Sequence, residues 1–181
     1  MARALNPSMR EVAQLVESLP VGSRPAARLT FEAFYLERHE ALYRALWLVT
    51  RNRHEAEEIA QDAFLRLFER WDRVGGLEDP GGYLYRTAIN VWRSRGRRTA
   101  VAIRRAVRVL PADDGIAEVE SRDAVIRALA PLTPRQRAAL VLTDLLGFTS
   151  EEAGSALGVR ASTVRVLAAR ARTTLQEGME R

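Results

Sequence analysis

The feature that most constrains this chain is the stretch from His54 to Arg98, whose two halves carry opposite charge. The first half is helical by period. Ala56, Ile59, Ala60, Ala63, Phe64, Leu67, Phe68 and Trp71 recur at three- and four-residue steps, which lines them along one face. The other face carries Glu55, Glu57, Glu58, Asp62 and Glu69. Leu65 falls off the apolar stripe, beside Gln61, Asp62 and Glu69. An apolar side chain among acids on a solvent face is a candidate protein contact, although a singly exposed leucine is common and needs no special cause.

The middle, from Gly75-Gly76 through Pro80 to Gly81-Gly82, cannot continue that helix. Asp79 before Pro80 reads as an N-cap with proline at the first helical position, so a second helix is expected to begin near Pro80. That helix carries Tyr83, Tyr85, Arg86, Asn90, Trp92 and Arg93, and no acid occurs between Pro80 and Ala112. Arg95, Arg97, Arg98, Arg104, Arg105 and Arg108 continue the one-signed run. Arginine binds phosphate and aromatic rings stack on unpaired bases. A solvated basic face is the plain alternative, but the interleaved aromatics favour a nucleic acid.

The whole chain agrees in sign. Its 181 residues carry a formal net charge of +5, which suits a polyanionic partner. All 28 basic residues are arginine, and base composition of the genome accounts for that more simply than selection for phosphate contacts. With no cysteine and only His39 and His54, thiolate and histidine-rich metal sites are excluded and a reducing compartment is favoured. No apolar run approaches the roughly 20 residues of a membrane span, and the N-terminus lacks the core of a signal peptide. A cytoplasmic protein without membrane insertion is expected. No nucleophile–base pair, phosphate loop or metal cluster is evident, so neither an enzyme nor a cofactor is expected.

Residues 1–29 read as a leader with a short amphipathic segment, and the sequence leaves open whether it docks on the body. Thr30 is placed to cap a helix in which Phe31, Phe34, Tyr35, Leu42, Leu46 and Val49 repeat. With the acidic and basic helices this makes a compact bundle over residues 30–98. Residues 99–120 contain Pro111 and Gly115 and read as a linker. Residues 121–178 form a second helical unit. Thr133-Pro134 starts one helix, which runs to Gly147. Thr149 and Glu152 form a capping box for the next, and a last helix follows Gly158. Two short helices around a glycine turn are the helix-turn-helix pattern, with Ala153 where the helices approach. The expected fold is all-α, two small helical domains joined by a flexible linker.

Taken together, these stretches resemble the extracytoplasmic-function sigma factors of bacterial RNA polymerase, in the sigma-70 superfamily. HEAEEIAQDAFLRLFERW is similar to that family's core-binding helix, and GGYLYRTAINVWRSRGRR to the helix that reads and opens the promoter −10 element. LAPLTPRQRAALVLTDLLGFTSEEAGSALGVRASTVRVLAARARTTL resembles its C-terminal −35-binding domain. The resemblance covers about Phe31 to Leu175 and implies a region 2-like domain over 30–98 and a region 4-like domain over 121–178. It implies that Glu58, Asp62, Leu65 and Glu69 meet the core polymerase, through its largest subunits. It assigns Tyr83, Arg86, Asn90, Trp92, Arg93, Arg97 and Arg98 to −10 DNA, with Asn90 recognising an extruded base. It assigns Arg160, Thr163, Arg165 and Arg170 to −35 DNA, and Arg172 also matches a basic position.

The implied function is promoter recognition, −10 melting and transcription initiation. Core polymerase and promoter DNA are the implied partners, and an anti-sigma factor is left open. The last helix departs from the family pattern. Val166 and Leu167 stand where a hydroxyl residue and an arginine are usual, and Ala168 and Ala169 replace larger residues. Direct reading of base edges is therefore reduced, and phosphate contacts or a protein contact through Val166, Leu167 and Ala169 stay open. The alternatives are a stand-alone helix-turn-helix regulator, which has no use for an acidic helix with an exposed leucine, and a sigma-like adaptor whose C-terminal domain binds protein.

Overall fold

The computed structural model describes residues 30–105 and 125–179, and every regular element among them is helical. The leader, residues 106–120 of the expected linker and residues 121–124 of the expected second unit lie outside the described residues.

Helix α1, Phe31–Thr50, starts where Thr30 accepts a hydrogen bond from the Ala33 amide at 3.3 Å. It ends at Arg51, whose amide closes the last bond to the Trp47 carbonyl and whose left-handed backbone (φ 58°) turns the chain out of the helix. Asn52 then caps α2, Arg53–Phe68, by accepting from the Glu55 amide at 2.9 Å. The apolar stripe expected to run through Trp71 is split. α2 stops at Phe68, and Trp71 opens a separate single turn, α3, Trp71–Val74. The break lets the Trp71 ring turn onto Phe31 and Phe34, at 5.4 and 5.0 Å between centroids. Phe68 is left exposed on the outside of that aromatic cluster, 4.9 Å from Phe31.

Helix α4, Pro80–Arg105, begins as expected at Pro80, with Asp79 accepting from the Gly82 amide at 2.7 Å. A Cβ on Gly82 would sit 1.8 Å from the capping carboxylate, so a larger residue there would displace the Asp79 cap. The helix continues past Arg98 to Arg105, into the stretch read as linker. Its helix-forming residues Arg97-Arg98-Thr99-Ala100-Val101-Ala102 offer no breaker to stop it earlier.

In the C-terminal unit a helical turn at 125–128 leads to α5, Pro134–Leu140, opened by a capping box between Thr133 and Gln136. The helix expected to run unbroken to Gly147 widens into a π segment, Val141–Leu145, in which the Leu146 amide reaches back to the Val141 carbonyl. Helices α6, Ser150–Leu157, and α7, Ala161–Met179, complete the unit. Thr149 and Glu152 form a capping box on α6, and Gly158 makes the turn at φ 62°.

Two apolar clusters hold these helices in place. The first, around Leu42, Leu46, Ile59, Leu67 and Leu84, binds α1, α2 and α4 together. The second joins Ala45, Val49 and Ile89 of the N-terminal unit to Ala138, Val141, Leu142, Leu157 and Val164 of the C-terminal unit. The two units are thus packed against each other. Val49 and Ile89 are almost fully buried, and burying such side chains is worth about 1.5–3 kcal/mol each.

Candidate nucleic-acid interface

The acidic face of α2 does not stand alone. Arg95, read as part of the basic run, reaches across from α4 and donates to Glu58 at 2.5 Å and to Asp62 at 2.8 Å. Those contacts, the Asp62 bond foremost, raise the guanidinium's pKa. Glu58 also lies 3.6 Å from His54. Glu69 is exposed, and Leu65 stands out from this face with 62 % of its surface in solvent. The helical wheel places Leu65 outside, and it is outside. Leu36, 79 % exposed on α1, is a second projecting leucine that the reading of α1 missed. Its position off the Phe34, Leu42, Leu46 stripe was the available signal.

Along α4 the residues assigned to DNA divide into two groups. Asn90, Arg97 and Arg98 are exposed. Asn90 accepts a hydrogen bond from Arg93 at 3.3 Å, and Arg97 donates to Ser94 at 3.0 Å. Tyr83 and Arg86 are half-buried two turns and one turn before Asn90, and the Tyr83 hydroxyl accepts from Arg70 at 3.4 Å. Arg86 is close enough to Glu152 of α6 to help hold that carboxyl below its usual range, an effect led by the Thr149 hydrogen bonds.

Trp92 and Arg93 are engaged inside the protein. Trp92 is half-buried and packs on both apolar clusters. Arg93 donates at 2.9 Å to the Ala156 carbonyl, in the last turn of α6. The turn is shaped for it: a Cβ on Gly158 would lie 1.9 Å from the Arg93 guanidinium. Burial, then the charges of Arg97 and Arg135, lower the Arg93 pKa.

Arg137 makes the reverse crossing. It is 6 % exposed, and its Nε donates to the Val49 carbonyl at the end of α1 at 2.9 Å. Its Nη1 donates to the Leu132 carbonyl at 2.6 Å. Sequence reading passed over this residue. The signal was its place one turn before Val141, on the apolar side of α5. Between the units, α4, α5 and the helix-turn-helix enclose a groove of about 920 Å³.

In the helix-turn-helix, the tight approach falls one residue later than expected. Ala153 is buried, but it is Gly154 whose Cβ would lie 2.8 Å from the Val159 carbonyl. Arg160, Thr163, Arg165 and Arg170 are all exposed, with Arg165 3.3 Å from Glu151. Arg172 is paired with Asp144 through two hydrogen bonds of 2.7 and 2.8 Å. Burial raises the Asp144 pKa, but the Arg172 and Thr143 bonds outweigh it and leave the carboxyl below its usual value. Of the apolar trio, Val166 and Ala169 face solvent, whereas Leu167 is half-buried against the second cluster. Leu167 therefore contributes to packing on that cluster. Among the described residues no cluster of three or more His, Asp or Glu is arranged to hold a metal ion. No described helix is long and apolar enough to cross a membrane.

Known protein families match both units of the chain. The model of sigma-70 region 2 matches residues 34–102, and that of sigma-70 region 4 matches residues 122–175. The ECF RNA polymerase sigma factor SigM of Mycobacterium tuberculosis is 31 % identical over 167 residues, covering 92 % of this chain and 83 % of SigM. The ECF RNA polymerase sigma factor SigE of Mycolicibacterium smegmatis is 31 % identical over 164 residues, covering 84 % of this chain and 62 % of SigE. Among solved structures, the sigma factor RpoE in complex with the anti-sigma factor NepR from Bartonella quintana has a TM-score of 0.63. It is 23 % identical, with 83 % of this chain and 96 % of that chain covered. CnrH in complex with the cytosolic domain of CnrY has a TM-score of 0.55 at 20 % identity, with 96 % and 97 % covered. The two structures share the fold.

Proposed function

This chain belongs to the extracytoplasmic-function sigma factors, and we propose that it directs bacterial core RNA polymerase to promoters and stabilises the melted −10 segment. The observation that carries the reading is the pairing of two exposed features on one helical unit. Leu65 projects from the acidic helix α2, and Asn90 projects from the basic helix α4. Both helices share one apolar cluster, so a contact with polymerase at α2 fixes where α4 lies on DNA.

In this reading Glu58, Asp62, Leu65 and Glu69 form the polymerase-facing surface. Asn90 hydrogen-bonds an extruded base, with Tyr83 and Arg86 on the same side of α4 and Arg97 and Arg98 on the backbone phosphates. Flipping a base costs a few kcal/mol, which a polar and aromatic pocket recovers. Arg160, Thr163, Arg165 and Arg170 contact the −35 duplex, mainly at phosphates. Trp92 and Arg93 are occupied by the C-terminal unit in the packed arrangement, so they reach DNA only when the two units separate. The protein works without chemistry of its own and in the cytoplasm, where its polymerase and DNA are.

Size-exclusion chromatography of the labelled chain with core polymerase tests this. Stoichiometric co-elution is expected, weakened at least about tenfold by reversing Asp62 together with Leu65→Ala. A chain that elutes alone at micromolar concentration contradicts it.

A further inference from the structure

The groove between the units has a chemical character of its own. Arg93 and Arg97 enter it from α4, and Arg135 from α5. The three guanidiniums lie close enough together that Arg97 and Arg135 act on Arg93. Among the described residues none of the three pairs with a carboxylate. Arg93 bonds Asn90 and the Ala156 carbonyl, and Arg97 bonds Ser94. Among the described residues of the wall the one acid is Glu55, whose carboxyl burial makes harder to ionise. Gathering like charges in a concave site costs free energy that a bound polyanion returns.

The rest of the wall is largely apolar, with Val49, Trp92, Leu157 and Leu167. A groove of about 920 Å³ falls in the range of small-molecule sites, about 300–1,000 Å³. We propose that this groove binds a nucleoside polyphosphate. Its phosphates lie among Arg93, Arg97 and Arg135, and its base lies on the apolar wall. Because the three arginines come from both units, the ligand holds the units together and keeps Arg93 away from DNA. The binding site rests on the packed arrangement of the units, and only the consequence for Arg93 and DNA rests on the sigma reading.

Calorimetry on the full chain tests it, with ATP, inorganic tripolyphosphate and a short single-stranded oligonucleotide as separate probes in magnesium-free buffer. One saturable ATP site per chain is expected, with tripolyphosphate binding more weakly for want of a base. Arg135→Ala, at an exposed position, should weaken ATP binding at least about tenfold, the loss expected for one charged hydrogen-bonding partner. Arg127→Ala, outside the groove, should leave it unchanged, and circular dichroism should show both variants helical. Absence of a saturable site, or an equal loss in Arg127→Ala, would overturn the proposal. So would displacement of ATP by the oligonucleotide with the same dependence on Arg135, because the site would then belong to single-stranded DNA.

Discussion

Arg137 donates from its Nε to the carbonyl of Val49 at 2.9 Å, a bond between residues of different helical units. The carbonyl lies in the last turn of α1, where a cation is favoured by the helix dipole. Arg93 does the same in the other direction, at the Ala156 carbonyl of α6. Each unit thus closes a helix end of the other with an arginine. Two capping bonds and the shared apolar cluster make the closed arrangement a built feature of the chain.

Arg137→Leu should therefore destabilise the protein by about 1–3 kcal/mol, the cost of leaving buried carbonyls without their charged donor. Urea denaturation checks this. An unchanged midpoint would show that the Val49 and Leu132 carbonyls find other partners.

Asn90→Ala should reduce open-complex formation and relax preference at one non-template −10 base. The lost contact is worth about 1–3 kcal/mol. Asn90 is exposed, so the fold should be unaffected. If preference survives at every −10 position, another residue reads that base.

From sequence alone, Leu167→Arg looks like a way to restore a DNA contact. The half-buried position of Leu167 against the second cluster reverses the expectation. An arginine there must bury charge or push the units apart. The substitution should lower the melting temperature and loosen the packing of the two units. A stable, compact variant with tighter −35 binding would show that Leu167 faces DNA.

Tyr85 supplies a pH test. Burial pushes its hydroxyl up to about 12, against a weaker opposing effect of Arg38. The unfolded chain ionises its tyrosines near 10. A raised folded value means stability that is full below about pH 10 and is lost as pH rises through about 12. Tyr85→Phe should remove part of this alkaline loss, read as the pH dependence of the denaturation midpoint. A variant with the same alkaline profile would place the titrating group elsewhere.

How much could be read from the chain depended on whether local rules decided the position. Asp79-Pro80, Thr133-Pro134, the Thr149 and Glu152 capping box and Gly158 are local, and each placed a helix end where the structure has it. Leu65 was visible because a helix sets its own faces. The break after Phe68 was not visible, since the Trp71 ring turns to meet Phe31 and Phe34, which are far away in sequence. The same holds for Arg95 on the acids of α2, Arg93 on Ala156 and Arg137 on Val49. Charge runs read along one helix miss partners that tertiary packing supplies. The packing of Leu167 on the second cluster was likewise not legible from its own helix.

Run-off transcription with purified core polymerase on a duplex promoter library measures the central claim directly. The account predicts transcripts from a defined subset of templates that appear only when the chain is added and fall with Asn90→Ala. A core polymerase that gains no template preference from the chain, under conditions where the chain is folded, would contradict it.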